Sequence, residues 1–233
     1  MQDFHYWQDA ACKAVGSEAA LEKRLPTVLT PAQLARKTDS KLLSLMSLRV
    51  FQSGLQHKMV AQKWPRFEQV YFDFDPQKLV RLSDEQLEQM MMQEGLIKHW
   101  RKTQSIRSNA AMIIDKADSH GSFGRWLSKW PPSNAVSLWR LLKKEGAQLG
   151  GHSGPRFLRM AGYDTFLLTD DVLVALTAHG VIDRAPTTIK ELDRLQALFT
   201  HWSEQGGCPQ AHVSRMISLL APISGATGIS GRH

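Results

Sequence analysis

Apolar residues recur along this chain with the spacing of helices rather than of strands. After Asp39, the residues Leu42, Leu45, Met46 and Val50 fall on one helical face. Alternation of apolar and polar positions, which is typical of strands, is nearly absent. The pattern predicts an all-α protein with about ten short helices, and it places Asp39 at the cap of the helix that contains these residues.

Capping residues indicate where other helices begin. Ser83 with Gln86, and Thr188 with Glu191, have the spacing of a capping box, in which two side chains bond reciprocally to backbone N–H groups. Pro209 suits the start of the last helix. We therefore expect helices to begin at these three places.

A long basic helix is predicted from residue 97 onward. Its apolar face contains Ile97, Thr103, Ile106, Ala110 and Ile113, and its basic residues largely occupy the other side. We expect the first face to be buried and the second to be exposed.

The length of 233 residues allows one large domain or two interlocked lobes. We expect a single helical domain over residues 1–223 and a frayed tail over residues 224–233. No run of 18 apolar residues or signal-like N-terminal pattern occurs. The two cysteines, Cys12 and Cys208, give no disulfide framework. These observations predict a cytoplasmic monomer that has no membrane partner.

The stretch LGGHSGP, at residues 149–155, lies between two helical patterns and predicts a tight hairpin. Glycines allow positive φ angles and close approach of another molecule, and Pro155 suits the first position of a new helix. Unpaired N–H groups at a helix start favour a phosphate. An ordinary helix–turn–helix connection is the alternative. The candidate phosphate-binding residues in this hairpin are Gly150, Gly151, His152, Ser153 and Gly154.

Positive charge is concentrated in the middle of the chain. Residues 98–159 contain twelve Lys and Arg but only three acids, whereas the first 97 residues balance to zero. Such a segment next to a glycine hairpin is typical of a polyanion-binding surface, although a solubilising face is the alternative. Lys102, Arg156 and Arg159 are the candidate phosphate contacts.

Few residues suggest catalytic or metal chemistry. Asp170 and Asp171 begin a helix after the hairpin, where acids are either helix caps or carboxylates that stabilise a cationic sugar or activate water. The set His5, Cys12, Cys208 and His212 has only generic zinc spacing. We therefore expect neither a metal nor a cofactor.

Two segments resemble a known family. GLIKHWRKTQSIRSNA, at residues 95–110, and FEQVYFDFDP, at residues 67–76, are similar to signature segments of the bacterial 3-methyladenine DNA glycosylase I family. The hairpin and the LTDDV stretch at residues 168–172 also occupy family positions, so the resemblance covers about residues 39–220. It implies an all-helical helix–hairpin–helix DNA glycosylase fold, double-stranded DNA as the partner, and removal of alkylated bases.

The chain departs from the family pattern at the residues that recognise the base. In LRVFQSGLQH, at residues 48–57, Arg49 stands where the family has a glutamate that reads the damaged adenine, and His57 replaces a tryptophan. An arginine cannot accept hydrogen bonds. Asp171 and Ala175 occupy the positions of the family's zinc ligands.

Three functions follow from these features. The first is a monofunctional DNA N-glycosylase in which Asp170 or Asp171 supplies the carboxylate that related enzymes place after the hairpin. The second is a DNA-binding protein that kept the fold and lost the chemistry, and the third is a scaffold for acidic proteins. A base turned out of the duplex requires an aromatic slot. The residues expected to form it are Arg49, Phe51, His57, Trp7 and Tyr6.

Overall fold

A computed structural model describes residues 2–221, and the tail expected at residues 224–233 lies outside this range. The described chain contains fourteen α-helices, two 3-10 turns and no strand, which confirms the all-α prediction. The predicted number of helices is wrong, because four helices have only four to six residues and show no periodic pattern. The helices are α1 Phe4–Val15, α2 Glu18–Glu22, α3 Pro31–Ala35, α4 Asp39–Gln52, α5 His57–Val70, α6 Pro76–Leu79, α7 Asp84–Met91, α8 Trp100–His120, α9 Phe123–Ser128, α10 Ala135–Glu145, α11 Ser153–Ala161, α12 Asp170–Ala178, α13 Ile189–Gly206 and α14 Gln210–Ser218.

Contacts divide the chain into two compact units, whereas the sequence predicted one domain over residues 1–223. The central unit consists of residues 27–165 and contains α3 to α11. The terminal unit consists of residues 1–26 together with the chain after residue 165, and it contains α1, α2 and α12 to α14.

The core of the central unit forms around α4 and α8, which pack against each other. The helices α6 and α9 pack on α8, and α11 packs on α4. Four aromatic side chains, Phe51, Phe67, Tyr71 and Phe74, are fully buried here. Each large buried side chain stabilises the fold by about 1.5–3 kcal/mol. The segment 67–76 therefore forms part of the core that supports the basic helix.

Helix α8 buries the face that the sequence predicted. Thr103, Ile106, Ala110 and Ile113 are all inaccessible to solvent. The helix begins at Trp100 rather than near Ile97, because the ring of His99 accepts a hydrogen bond from the Lys102 backbone N–H and caps the helix.

Both predicted capping boxes are present. The hydroxyl of Ser83 accepts from the Gln86 N–H while the Gln86 side chain accepts from the Ser83 N–H, and Thr188 and Glu191 do the same. The backbone N–H groups of Thr187 and Thr188 and the Thr188 hydroxyl lower the pKa of Glu191 to about 2. The expected helix starts at α7 and α13 are therefore confirmed.

The predicted capping role of Asp39 is wrong. Thr38 caps α4 by accepting a hydrogen bond from the Lys41 N–H, and Asp39 is the first helical residue. The carboxylate of Asp39 instead accepts a hydrogen bond of 2.8 Å from the Phe123 backbone N–H. Asp39 therefore joins the starts of α4 and α9.

The core of the terminal unit is aromatic. Trp7 and Trp202 meet edge to face with ring centroids 5.5 Å apart, and Phe166 stacks on Phe199. Pro209 is the N-cap residue of α14. The last helix therefore begins at Gln210, one residue after the predicted start. Among the described residues, no helix is both long and apolar enough to span a membrane.

Candidate nucleic-acid interface

The glycine-rich segment forms a tight hairpin between α10 and α11. Gly151 has a φ angle of +55°, and Gln148 also has a positive φ angle, of 62°. A Cβ atom added at Gly151 would meet no atom within 4 Å. Pro155 is the third residue of α11, not the first, because the helix already begins at Ser153. The hairpin thus presents Gly151 to open space.

Hydrogen bonds within the hairpin use some of the amides that the sequence assigned to a phosphate. The Ser153 N–H donates to the Gly150 carbonyl, and the Gly154 N–H donates to the Leu149 carbonyl. The amides of Gly150, Gly151 and His152 have no acceptor in the part of the chain that the structure describes. These three are therefore the N–H groups of the hairpin that are available to an anion.

Gly154 is required for the hairpin to close. A Cβ atom at this position would lie 2.8 Å from the Leu149 carbonyl oxygen, the atom that accepts the Gly154 N–H. By contrast, a Cβ atom at Gly150 would meet only the flexible Lys143 side chain, at 3.6 Å. Gly150 and Gly154 thus have different roles, although they look equivalent in the sequence.

Asn109 anchors the hairpin to α8. This fully buried side chain donates to the Ala147 carbonyl and accepts from the Ala147 N–H, at 3.1 and 2.8 Å. This contact is not predictable from the sequence. Asn109 lies within the family-like segment 95–110, but nothing in the sequence shows what its amide contacts.

Seven of the twelve cations between residues 98 and 159 are exposed to solvent. Arg107 instead pairs with Asp84, and Lys116 pairs with Glu145. Arg159 is half-buried and donates to the Thr165 carbonyl. The exposed cations are Lys98, Arg101, Arg125, Lys129, Arg140, Lys143 and Lys144.

Lys102 is not one of these exposed cations. It is buried, and its ammonium group donates to the carbonyls of Phe51 and Ser53, at 3.1 and 2.6 Å. These carbonyls lie at the C-terminal end of α4, where a cation is favourable. The prediction that Lys102 contacts a phosphate is therefore wrong, because its charge is already bound within the protein.

Replacing Lys102 with methionine is expected to lower the free energy of unfolding by about 1–3 kcal/mol, because the two carbonyls would lose a charged donor. Urea denaturation would measure this loss. The matched control, Lys98→Met, removes an exposed charge and should change stability little. Equal stability of the two variants would contradict the capping role of Lys102.

Arg49 and His57 lie together in the central unit. Arg49 is only 6 % exposed, and its Nη1 atom is 3.3 Å from His57 Nε2. Desolvation lowers the pKa of both groups, and the Arg156 charge on α11 lowers both further. Arg156, on the helix that packs against α4, thus acts through its charge on the two residues that depart from the family pattern.

The other expected base-slot residues lie elsewhere. Phe51 is fully buried and packs against Trp64 and Phe67 in the core. Tyr6 and Trp7 belong to the terminal unit, where Trp7 is fully buried and the Tyr6 hydroxyl is 2.7 Å from His179 Nδ1. Among the five predicted residues, the structure shows direct contact between Arg49 and His57 and, within the terminal unit, between the rings of Tyr6 and Trp7.

Asp170 and Asp171 form the first turn of α12 in the terminal unit, whereas the hairpin belongs to the central unit. The hydroxyl of Thr169 caps this helix by accepting from the Val172 N–H. Asp170 and Asp171 are both exposed. Neither carboxylate is needed as the helix cap.

The four side chains considered for zinc do not converge. No group of three or more potential His, Cys, Asp or Glu ligands occurs between residues 2 and 221. His212 lies 3.0 Å from the Pro26 carbonyl, and neither Cys12 nor Cys208 forms a disulfide within the described residues.

The fold and the hairpin define the class: the chain has the fold of the helix–hairpin–helix DNA glycosylases. It is similar to the 8-oxoguanine DNA glycosylase of Thermotoga maritima, with a TM-score of 0.56 and 16 % identity over 93 % of this chain and 96 % of that one. The 8-oxoguanine glycosylase/lyase of Methanocaldococcus jannaschii, solved with a 15mer DNA, matches with a TM-score of 0.54 and 14 % identity over 91 % and 95 %.

The sequence comparisons give a more specific resemblance than the fold does. Residues 33–147 match the model of the methyladenine glycosylase family. A curated relative, DNA-3-methyladenine glycosylase 1 of Escherichia coli, is 28 % identical over 49 % of this chain and 72 % of its own length. The resemblance predicted from residues 67–76 and 95–110 is confirmed. The family match ends just before the glycines of the hairpin.

Proposed function

We propose that this protein is a monofunctional DNA N-glycosylase of base excision repair that removes alkylated bases from double-stranded DNA. The family match over residues 33–147 carries the proposal, because it includes both signature segments and all seven exposed cations of residues 98–159. The protein would act as a monomer in the cytoplasm, with a phosphate held by the Gly150, Gly151 and His152 amides.

The proposed reaction places few demands on the protein. A base that carries a positive charge from alkylation weakens its own glycosidic bond, so a fitted slot and an ordered water suffice for cleavage. A carboxylate would stabilise the cationic sugar or orient the water. Asp170 and Asp171 are the candidates for this role because neither caps α12 and both remain accessible.

Base release from methylated duplex DNA, followed by alkaline strand scission at the abasic sites, tests this function. If one aspartate is the carboxylate, Asp170→Asn or Asp171→Asn should slow release by about a hundredfold, the lower end of the usual acid–base contribution, while duplex affinity stays unchanged. Asp193→Asn, at an exposed residue of α13, is the matched control. Release by both aspartate variants at the wild-type rate would exclude these side chains.

The buried cation Arg49 favours a second candidate function, a DNA-binding protein without turnover. Such a protein would shift duplex DNA in a gel but release no base under any condition. A scaffold for acidic proteins would instead lack the salt dependence of duplex binding. For DNA binding, the affinity should fall with a log–log slope of about 0.9 for each phosphate contacted.

A further inference from the structure

Three cations meet inside the central unit on three different helices. Arg49 comes from α4, Lys102 from α8 and Arg156 from the first half of α11. Helix α4 packs against both α8 and α11, and Arg49 lies between the other two charges: it lowers the pKa of Lys102, and Arg156 lowers the pKa of Arg49. His57, at the start of α5, contacts Arg49 from the solvent side.

No carboxylate neutralises this cluster within the described range of residues 2–221. The ion pairs of that range involve neither Arg49, Lys102 nor Arg156. Lys102 is satisfied by two backbone carbonyls, but the Nε atoms of Arg49 and Arg156 are buried and have no hydrogen-bond partner. Burial of charged donors without a partner is unfavourable, so an anion bound here would stabilise the folded protein.

We propose that Arg49, Arg156 and His57 form a binding site for a tetrahedral oxyanion, and that a DNA phosphate occupies it when the protein is bound to DNA. Guanidinium groups offer planar sets of N–H donors that fit phosphate oxygens. His57 is exposed and Arg156 is only half-buried, which leaves the cluster a side open to solvent. The site would exclude metal cations by repulsion.

The position of Arg156 supports DNA as the source of the phosphate. Its backbone N–H donates to the carbonyl of His152, so this arginine lies one helical turn after the hairpin amides that have no acceptor. The hairpin and Arg156 are therefore one helical turn apart within the central unit. Occupation by DNA rests on the proposed function, whereas the anion site itself does not.

Thermal unfolding in sulfate, compared with chloride at equal ionic strength, tests the site on the free protein. Sulfate should raise the melting temperature of the wild type by several degrees, and this rise should be lost in Arg49→Gln and in Arg156→Gln. Arg36→Gln, at an exposed arginine of the central unit, should retain the rise. The same sulfate response in all four proteins, or none in the wild type, would overturn the proposal.

NMR titration of His57 measures a second property, the response of the His57 pKa to sulfate. Arginines that only stabilise the fold would produce no such response. Desolvation and the charges of Arg49 and Arg156 hold the His57 pKa below its ordinary value. A bound anion stabilises the protonated ring, so sulfate, which does not titrate near neutral pH, should raise this pKa. The exposed ring of His99 is the internal reference. A His57 pKa that sulfate leaves unchanged relative to His99 would contradict the site.

Competition between sulfate and duplex DNA shows whether the bound anion is a DNA phosphate. If a DNA phosphate occupies the site, sulfate at constant ionic strength should weaken binding of a duplex with an abasic-site analogue in the wild type but not in Arg49→Gln. Sulfate binding without competition would assign the site to a free oxyanion and reject the DNA assignment. None of these measurements requires base release, so failure of the glycosylase proposal is detected separately.

Discussion

A Gly151→Val variant is expected to bind duplex DNA about tenfold more weakly than the wild type, with little loss of helical content. Gly151 has a φ angle of +55°, where an L residue costs about 1–2 kcal/mol. A valine would therefore relax the free hairpin away from this geometry, and regaining it on DNA would weaken binding by a factor of about ten. The new side chain would also project into the open space in front of the free amides. Fluorescence anisotropy on a short duplex, with circular dichroism for the fold, would measure both effects.

Two further variants separate backbone geometry from steric bulk. Asparagine tolerates the left-handed conformation, so Gly151→Asn should retain more affinity than Gly151→Val if the φ angle is the main requirement. Gly150→Ala is the matched control, because its Cβ atom would make only an ordinary contact with Lys143. A folded Gly151→Val protein with wild-type affinity would show that the hairpin does not bind DNA.

Release of 3-methyladenine by the wild-type protein is expected to be weak, and Arg49→Glu should increase it at least about tenfold. Unit charges about 4 Å apart near a protein surface interact by about 4 kcal/mol, so Arg49 and Arg156 together would disfavour a cationic base. The introduced carboxylate would instead lie beside Arg156, Lys102 and His57, which compensate its charge. The variant should therefore remain folded.

Chromatography of bases released from methylated duplex DNA would measure this change. Arg36→Glu alters the net charge by the same amount on an exposed helix end and should not increase release. Strong release of 3-methyladenine by the wild type, unchanged in Arg49→Ala, would place Arg49 outside the base slot.

The sequence predicted local features more accurately than distant contacts. The capping boxes at Ser83 and Thr188, and the buried face of α8, depend on residues a few positions apart, and the structure confirms them. The positive charge of Lys102 was also visible, but the direction of its side chain was not. Its partners, Phe51 and Ser53, belong to another helix, which only the packing of α4 on α8 brings close.

The candidate site shows the same limit. The glycines predicted the hairpin correctly, because positive φ angles are a local requirement. The approach of Arg156 to Arg49 was not predictable, since α11 packs on α4 only in the folded chain. The expected grouping of Tyr6 and Trp7 with Phe51 followed from residue type alone, and residue type does not determine which unit a side chain joins.

The two hydrogen bonds between Asn109 and Ala147 reduce the conformational entropy that the hairpin would lose on binding a ligand. A loop that is free in solution must lose conformational freedom when it docks on a ligand, at about 1–2 kcal/mol for each backbone residue that becomes ordered. Here one buried amide fixes the entry to the hairpin during folding, before any ligand arrives. Association should therefore proceed nearly as a rigid-body encounter, with a rate limited by diffusion and orientation rather than by loop rearrangement.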